Sequence, residues 1–351
     1  MNEVETIKKF AAAAATLLAS TALAHAGGID RSGQSISPLF EEGGESGGHA
    51  QLSFGTVTPS ANGNARLGNP LNSYSPMAFA YKNDFSEQLS FALIGDQPFG
   101  ADVQYGAVLF NARTKTSSSA LTGVLRYKLG DGVSLHGGLR ALRLSDATSM
   151  QRHSMQGQSQ YISSDWSYGY VVGAAYEIPE IALRVALTYN SKIVADMSGT
   201  RNGAAVAFKV TLPESVNLEF QVGIAADTVL TASVRHIGWS GFTVEGLTHP
   251  RCRNCPHDSY SLGLGHRLSE NFSASATLNF EAPGDSPAIT AFAPTTGQTT
   301  LTLGGQYALD NMTISGGITV GRLGDQSILA GLQSFSGSTI VGTSLRLGFD
   351  F

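Results

Sequence analysis

The closing stretch, Ser338 to Phe351, constrains this chain more than any other: S-T-I-V-G-T-S-L-R-L-G-F-D-F. It alternates with period two. Val341, Thr343, Leu345, Leu347, Phe349 and Phe351 share one side; Ile340, Gly342, Ser344, Arg346, Gly348 and Asp350 share the other. Successive side chains of a strand point to opposite faces. One face is therefore aliphatic and aromatic, and the other is polar, glycine-rich and carries two charges. A soluble sandwich strand can look like this. Two details favour a strand that crosses a membrane: the sequence ends on Phe351 with no polar tail, and the same alternation recurs along the chain.

A second constraint is an absence. No uninterrupted apolar run approaches the ~20 residues a membrane-spanning helix needs. A closed barrel is the other structure that pairs every backbone polar group within lipid. Composition agrees: 351 residues are 42% hydrophobic and only 14% charged, with 41 glycines. The net charge of −5 leaves no electrostatic footprint for nucleic acid.

Residues 1–26 read as a signal peptide, with Lys8 and Lys9 ahead of an apolar stretch from Phe10 to Ala22. The small-x-small site Ala24-His25-Ala26 places the mature start at Gly27. Residues 27–48 are glycine-rich and polar, with Ile29, Ile36, Leu39 and Phe40 as scattered apolar points. They read as a plug. Residues 49–351 read as a barrel of alternating segments.

The spacing predicts strands over Ala50–Thr58, Met77–Lys82, Leu89–Gly95, Leu121–Leu129, Val133–Leu144, Trp166–Ile178 and Ile181–Val194. An eighth runs from Ala204 to Ala226 with a break at Leu212-Pro213. The rest are Val229–Trp239, Ser259–Leu268, Phe272–Phe280, Thr299–Leu309, Met312–Val320 and the closing stretch. Connections alternate between tight turns, such as Gly130-Asp131 and Asp310-Asn311, and long loops at 60–76, 100–119, 146–164, 195–203, 241–257, 282–297 and 322–338. Short turns on one side and long loops on the other mark an outer-membrane barrel with the tight turns in the periplasm. Seven long loops and six turns link 14 antiparallel strands with both ends on the periplasmic side. The fold class is thus an all-β transmembrane barrel. Its lumen is too wide for its own side chains to fill, and residues 27–48 are placed to fill it. The final strand should close the barrel by pairing with the strand of Leu52 and Phe54.

With these features the sequence resembles the FadL-type family of outer-membrane transporters of long-chain fatty acids and other hydrophobic compounds. The resemblance rests on the leading segment Gly27-Gly28-Ile29-Asp30-Arg31-Ser32-Gly33-Gln34-Ser35 and the 14 strands. It rests also on the Leu212-Pro213-Glu214-Ser215 break, the hairpin ending His236-Ile237-Gly238-Trp239-Ser240-Gly241-Phe242, and terminal Phe351. It implies passive transport without an enzyme's chemistry or a cofactor. Ligand is caught among the outer loops, bound in the lumen, freed when the plug rearranges, and released sideways into the membrane at a kink in the third strand. Gly95-Asp96-Gln97-Pro98-Phe99-Gly100 suits such a kink, making Gly95, Asp96, Pro98 and Gly100 the candidate lateral gate. The same stretch also reads as the strand simply entering its loop.

Arg140, Arg126, Lys128 and Arg184 are expected to face inward. A guanidinium holds a carboxylate by two hydrogen bonds, so these are ligand candidates, Arg140 first. Equally, they pair with inward acids such as Glu177 and Glu219, or line a wet lumen. Phe99, Ile36, Leu39 and Phe40 complete the candidate ligand-binding set. Cys252 and Cys255, alone in a loop, suggest a disulfide, with no metal site expected. Gly44-Glu45-Ser46-Gly47-Gly48 matches a hydrolase pattern that has meaning only on a strand-to-helix elbow. Trp166 and Trp239 read as interface aromatics. The partners expected are a long-chain fatty acid or another hydrophobic small molecule, outer-membrane lipid, and the assembly machinery through the C-terminal strand, for a monomeric protein. Two other classes stand beside this one: a general porin for hydrophilic solutes, and an outer-membrane lipid hydrolase.

Overall fold

The computed structural model describes residues 29–63, 68–106, 111–152, 155–245, 258–283, 294–328 and 333–351. Among them no helix is long and apolar enough to cross a membrane. The wall is built of strands β1 (Gly48–Ser60), β2 (Met77–Asp84), β3 (Leu89–Asp96), β4 (Arg113–Gly130), β5 (Val133–Arg152), β6 (Ser167–Ile178) and β7 (Leu183–Asn190). It continues with β8 (Ser215–Ala225), β9 (Thr228–Ile237), β10 (Asp258–Arg267), β11 (Phe272–Glu281), β12 (Gln298–Leu309), β13 (Met312–Leu323) and β14 (Thr339–Asp350). Each pairs antiparallel with the next, and β14 pairs with β1. Among the described residues these 14 strands close the barrel. The expected closing pairing is found, with Leu52 opposite Leu347 and Phe54 opposite Leu345.

Parity decides which side chains meet lipid. Leu125, Tyr127, Leu139, Tyr168, Leu278 and Leu303 are exposed on the outside. Their inward neighbours Thr122, Val124, Arg126, Ser134, His136, Arg140, Ser275, Thr277 and Thr302 are buried. Leu303 lies across from Ile318 near the middle of its strand, and both are exposed. Leu303→Lys should therefore cost about 2–4 kcal/mol if it lies near the bilayer midplane. Urea unfolding followed by the gel-mobility shift of the folded barrel measures it.

Three expectations need correction. First, 100–119, 146–164 and 195–203 are not loops throughout: Gly100–Gln104 pairs with Arg113–Ser117 of β4 inside the first of them. β5 runs on to Arg152, and Met155–Ser164 returns along it. Ile193–Arg201 then pairs with Met155–Ser164 and with Ala204–Leu212, which meets Thr243–Val244. These form a sheet continuous with the long-loop end of the wall. Second, Ala204–Leu212 therefore belongs to this outer sheet and not to β8. Pro213 has no N–H to continue a ladder, and the wall resumes at Ser215, opposite Asn190 and Ile237. Third, Trp239 is buried, in a short 3₁₀ turn with its ring 5.9 Å from that of Phe242. Trp166 is exposed as expected.

Candidate functional site: the filled lumen and the kinked third strand

Residues 29–41 touch the inward-facing side of the wall through two different chemistries. On one side Ser37–Phe40 form a 3₁₀ turn started by Pro38. Ile36, Leu39 and Phe40 are buried against Ala80, Ala92, Ile94, Val124, Val171, Ala175 and Ala186. The small alanines leave the depth that the three large side chains fill. The Phe40 ring has the Arg126 guanidinium 4.6 Å and the Arg184 guanidinium 4.9 Å from its centroid, with His136 edge-on at 6.1 Å. Cations over a ring face are held by its quadrupole. Arg126 also pairs with Glu177 and donates Nε–H to Ser134 Oγ at 3.0 Å.

The other side is polar. Asp30 pairs with Arg235 Nε at 3.0 Å, and both are buried. Arg235 Nη1 donates to Ser215 Oγ at 3.0 Å and Asn217 Oδ1 at 2.7 Å. Asn217 Nδ2 donates to the carbonyl of Gly33 at 2.9 Å, and Ser35 Oγ to Glu219 at 2.7 Å. Ser32 Oγ donates to Asp96 at 2.5 Å, tying the segment to the end of β3. Arg235 was not among the residues singled out from sequence. The alternation along β9 places it inward with the partly buried Ser233 and buried Ile237, so the signal was available.

The kink is present, between β3 and Gly100–Gln104. Asp96 lies opposite Ala120 and Gly100 opposite Ser117, so Gln97, Pro98 and Phe99 face only Ser118 and Ser119. This is a bulge. Ser118 Oγ accepts from Phe99 N–H at 2.8 Å and donates to its carbonyl at 2.7 Å, replacing the missing ladder bonds. On the opposite edge β2 stops pairing at Gly95. There the N-terminal segment takes its place: Arg31 N–H donates to the carbonyl of Pro98, and Gly100 N–H to the carbonyl of Ile29, both at 2.7 Å. Two glycines make close contacts here, the tighter one at Gly95. A Cβ at Gly95 would stand 2.1 Å from the Phe79 ring, and one at Gly100 2.8 Å from the Arg31 guanidinium. Arg31 stacks on Tyr74 at 3.8 Å. Burial lowers the Arg31 pKa, against the attraction of Tyr74 and Asp102, and raises that of Tyr74 to about 12.

Above the kink the barrel interior changes character. Phe99 packs with Ala120, Leu142, Leu144, Ile162, Ile193, Ala195, Met197, Val210 and Leu212. Ile29, Val206, Phe208, Phe242 and Val244 flank this cluster and are only partly buried. Leu142 and Leu144 share the inward parity of Arg140, yet they are apolar. Arg140 sits just below, donating to Thr122 Oγ1 at 2.8 Å and Asn190 Oδ1 at 3.0 Å. At the tight-turn end, Lys128 lines a cavity of about 620 Å³ with Glu41, Glu42, Asp84 and Glu180.

The candidate residues thus divide. Ile36, Leu39 and Phe40 meet Arg126 and Arg184 at one anchor; Phe99, Asp96 and Arg140 meet at the kink; Lys128 stands apart. The signal peptide, Cys252 and Cys255 lie outside the described residues. Ser46 sits in a turn entering β1, not on an elbow before a helix.

No protein-family model matches the sequence, and comparison with curated proteins finds no match. Solved structures do. A FadL homologue from Pseudomonas aeruginosa superposes with a TM-score of 0.71 at 14% identity, covering 95% of this chain and 96% of that one. The toluene transporter TodX of Pseudomonas putida gives 0.63 at 12% identity over 95% and 98%. The toluene transporter TbuX of Ralstonia pickettii gives 0.62 at 14% over 95% and 98%. The chain has the fold of the FadL-type outer-membrane channels.

Proposed function

We propose that this protein is a passive outer-membrane channel for hydrophobic small molecules, a class that spans long-chain fatty acids and uncharged hydrocarbons. The observation that carries this reading is the apolar cluster lining the outer half of the interior. A general porin keeps its inward faces polar; here Leu142, Leu144, Ile193, Met197 and Phe99 make a packed apolar cluster that reaches the kink. Below it stand the Asp30–Arg235 pair and the polar contacts around it. A hydrophobic solute finds no favourable way down through that floor, while the kink offers a way out to lipid. Residues 27–48 act as the plug. Release of Ile29–Arg31 from Pro98–Gly100 opens the lateral gate, whose edges are Gly95, Asp96, Pro98 and Gly100. The fold of known channels supports location in a Gram-negative outer membrane, as a monomer exported by cleavage after Ala26 and assembled through its C-terminal strand. Cys252 and Cys255 form a disulfide in this reading.

The test is single-channel recording paired with ligand binding. Near-silent bilayers together with saturable binding of a labelled hydrophobic compound are expected. A large steady conductance without binding makes the protein a porin and sinks the proposal. Leu142→Asp, placing a charge in a side chain with 0% exposure, should weaken binding by about tenfold or more.

A further inference from the structure

We infer that the lumen carries a second route, for water and small hydrophilic solutes, which runs past residues 32–37 to the tight-turn end and is closed by the side chain of Phe40. It is separate from the lateral exit at the kink, and opening it leaves the ion pair of Asp30 with Arg235 in place. The route begins in a cavity of about 140 Å³ lined by residues of the N-terminal segment and of β7 to β12. Its upper rim is Ser259, Glu281 and Gln298, at the long-loop ends of β10, β11 and β12. Its lower end reaches Arg184, at the tight-turn end of β7. Every wall residue of inward parity that lines it is polar, Asn217, Glu219, Ser233, Ser261 and Asn279 among them. The apolar contacts of Ile36, Leu39 and Phe40 lie instead on β2 to β7.

The 620 Å³ cavity described above continues this path to the tight turns at 130–132 and 179–180. The two linings meet at one contact. The 3₁₀ turn Ser37–Phe40 has Ser37 in the upper cavity and Leu39 and Phe40 in the lower. Arg184 lines the upper cavity and Arg126 the lower, and both guanidiniums lie over the Phe40 ring, at 4.9 and 4.6 Å. Glu177, which lines the lower cavity and pairs with Arg126, stands opposite Arg184 in the β6–β7 ladder. Polar groups thus approach the ring from both cavities, and the ring is the apolar body where they meet. Water wets the linings but not a hydrocarbon constriction, which is how a dewetting gate closes a pore. The attraction of two cations for one ring face holds it shut. Ile36 is buried in the same apolar cluster as Phe40, yet it lines neither cavity.

Planar-bilayer recording and arabinose-driven swelling of proteoliposomes test this on the full-length protein, with the folded barrel confirmed by gel mobility. Phe40→Ala should raise both conductance and arabinose entry about tenfold or more over the parent. Ile36→Ala removes a buried side chain from the same cluster, and so loosens the segment comparably, but it widens neither cavity. It should stay near the parent. Ser261→Trp, added to Phe40→Ala, puts bulk into the upper cavity and should restore most of the silence. Phe40→Ala that stays silent overturns the inference. So does Ile36→Ala that conducts equally, because the whole segment has then moved, and so does a current that Ser261→Trp leaves unchanged. None of these outcomes decides whether a labelled hydrophobic compound binds the parent, and the channel reading stands or falls on that binding.

Discussion

Arg235→Ala will turn a nearly silent barrel into a leaky one. Arg235 binds Asp30 with two nitrogens, Nε at 3.0 Å and Nη2 at 3.3 Å, and Ser215 and Asn217 with Nη1. Both partners of the pair are buried. Removing one member of a buried pair leaves the other charge uncompensated, which costs about 3–5 kcal/mol. The cost falls on the docked state of residues 29–35, since Asp30 regains water when that segment leaves the wall. Asp30 is also the residue whose backbone bridges Phe99. One residue thus joins the kink to β9 across the lumen, and breaking its ion pair should loosen both ends. Deleting residues 27–48 sets the upper limit of the effect. Single-channel steps should be largest for the deletion, intermediate and flickering for Arg235→Ala, and near zero for the parent. The pair Asp30→Asn with Arg235→Met, which removes both charges, should recover part of the silence. If Arg235→Ala conducts like the parent while the deletion conducts strongly, the ion pair is not what holds the segment. If the deletion also stays silent, the segment is not a plug.

The wall was legible in the sequence because a barrel strand faces lipid on one side along its length. That demand writes itself as a period of two, and the periodicity placed Leu125 outside, Arg126 inside, and the closing strand beside the strand of Leu52 and Phe54. The outer sheet was less legible for a physical reason. Its strands do not belong to the closed ring of the wall, so no continuous lipid-facing side is imposed on them. A local cue was nevertheless present. Asn202-Gly203, with φ of 51° and 80°, is a tight hairpin turn joining Ile193–Arg201 to Ala204–Leu212. The break at Pro213 was visible, but which side of it stayed in the wall was not, because both sides alternate. The lumen contacts were the hardest to read. Asp30 and Arg235 are 205 positions apart, and no local pattern joins them. Arg126 was correctly turned inward, yet its work in this structure is to hold Phe40 and Glu177.

Ser118→Ala will loosen the kink without opening the lumen. Ser118 is buried, and its hydroxyl satisfies both the N–H and the carbonyl of Phe99. Each of these backbone groups lies where the bulge has removed its ladder partner. A buried backbone group left without a partner costs about 1–3 kcal/mol. Losing one hydroxyl that serves two groups should therefore cost about 2 kcal/mol or more, enough to raise local opening roughly thirtyfold. Amide exchange at Phe99 and Gly100 should accelerate by that order, while the β1–β14 closure at Ser53, Phe54 and Leu345 keeps its protection. The ion pair of Asp30 with Arg235 is untouched, so conductance should stay near that of the parent. The two variants thus separate two functions held by adjacent contacts: Arg235 closes the lumen, and Ser118 shapes the wall. Should Ser118→Ala leave exchange at Phe99 and Gly100 unchanged, the pairing of Ile29–Arg31 with Pro98–Gly100 holds the kink alone. In that case Arg235→Ala must accelerate the same amides, since it frees the residue that makes the bridge.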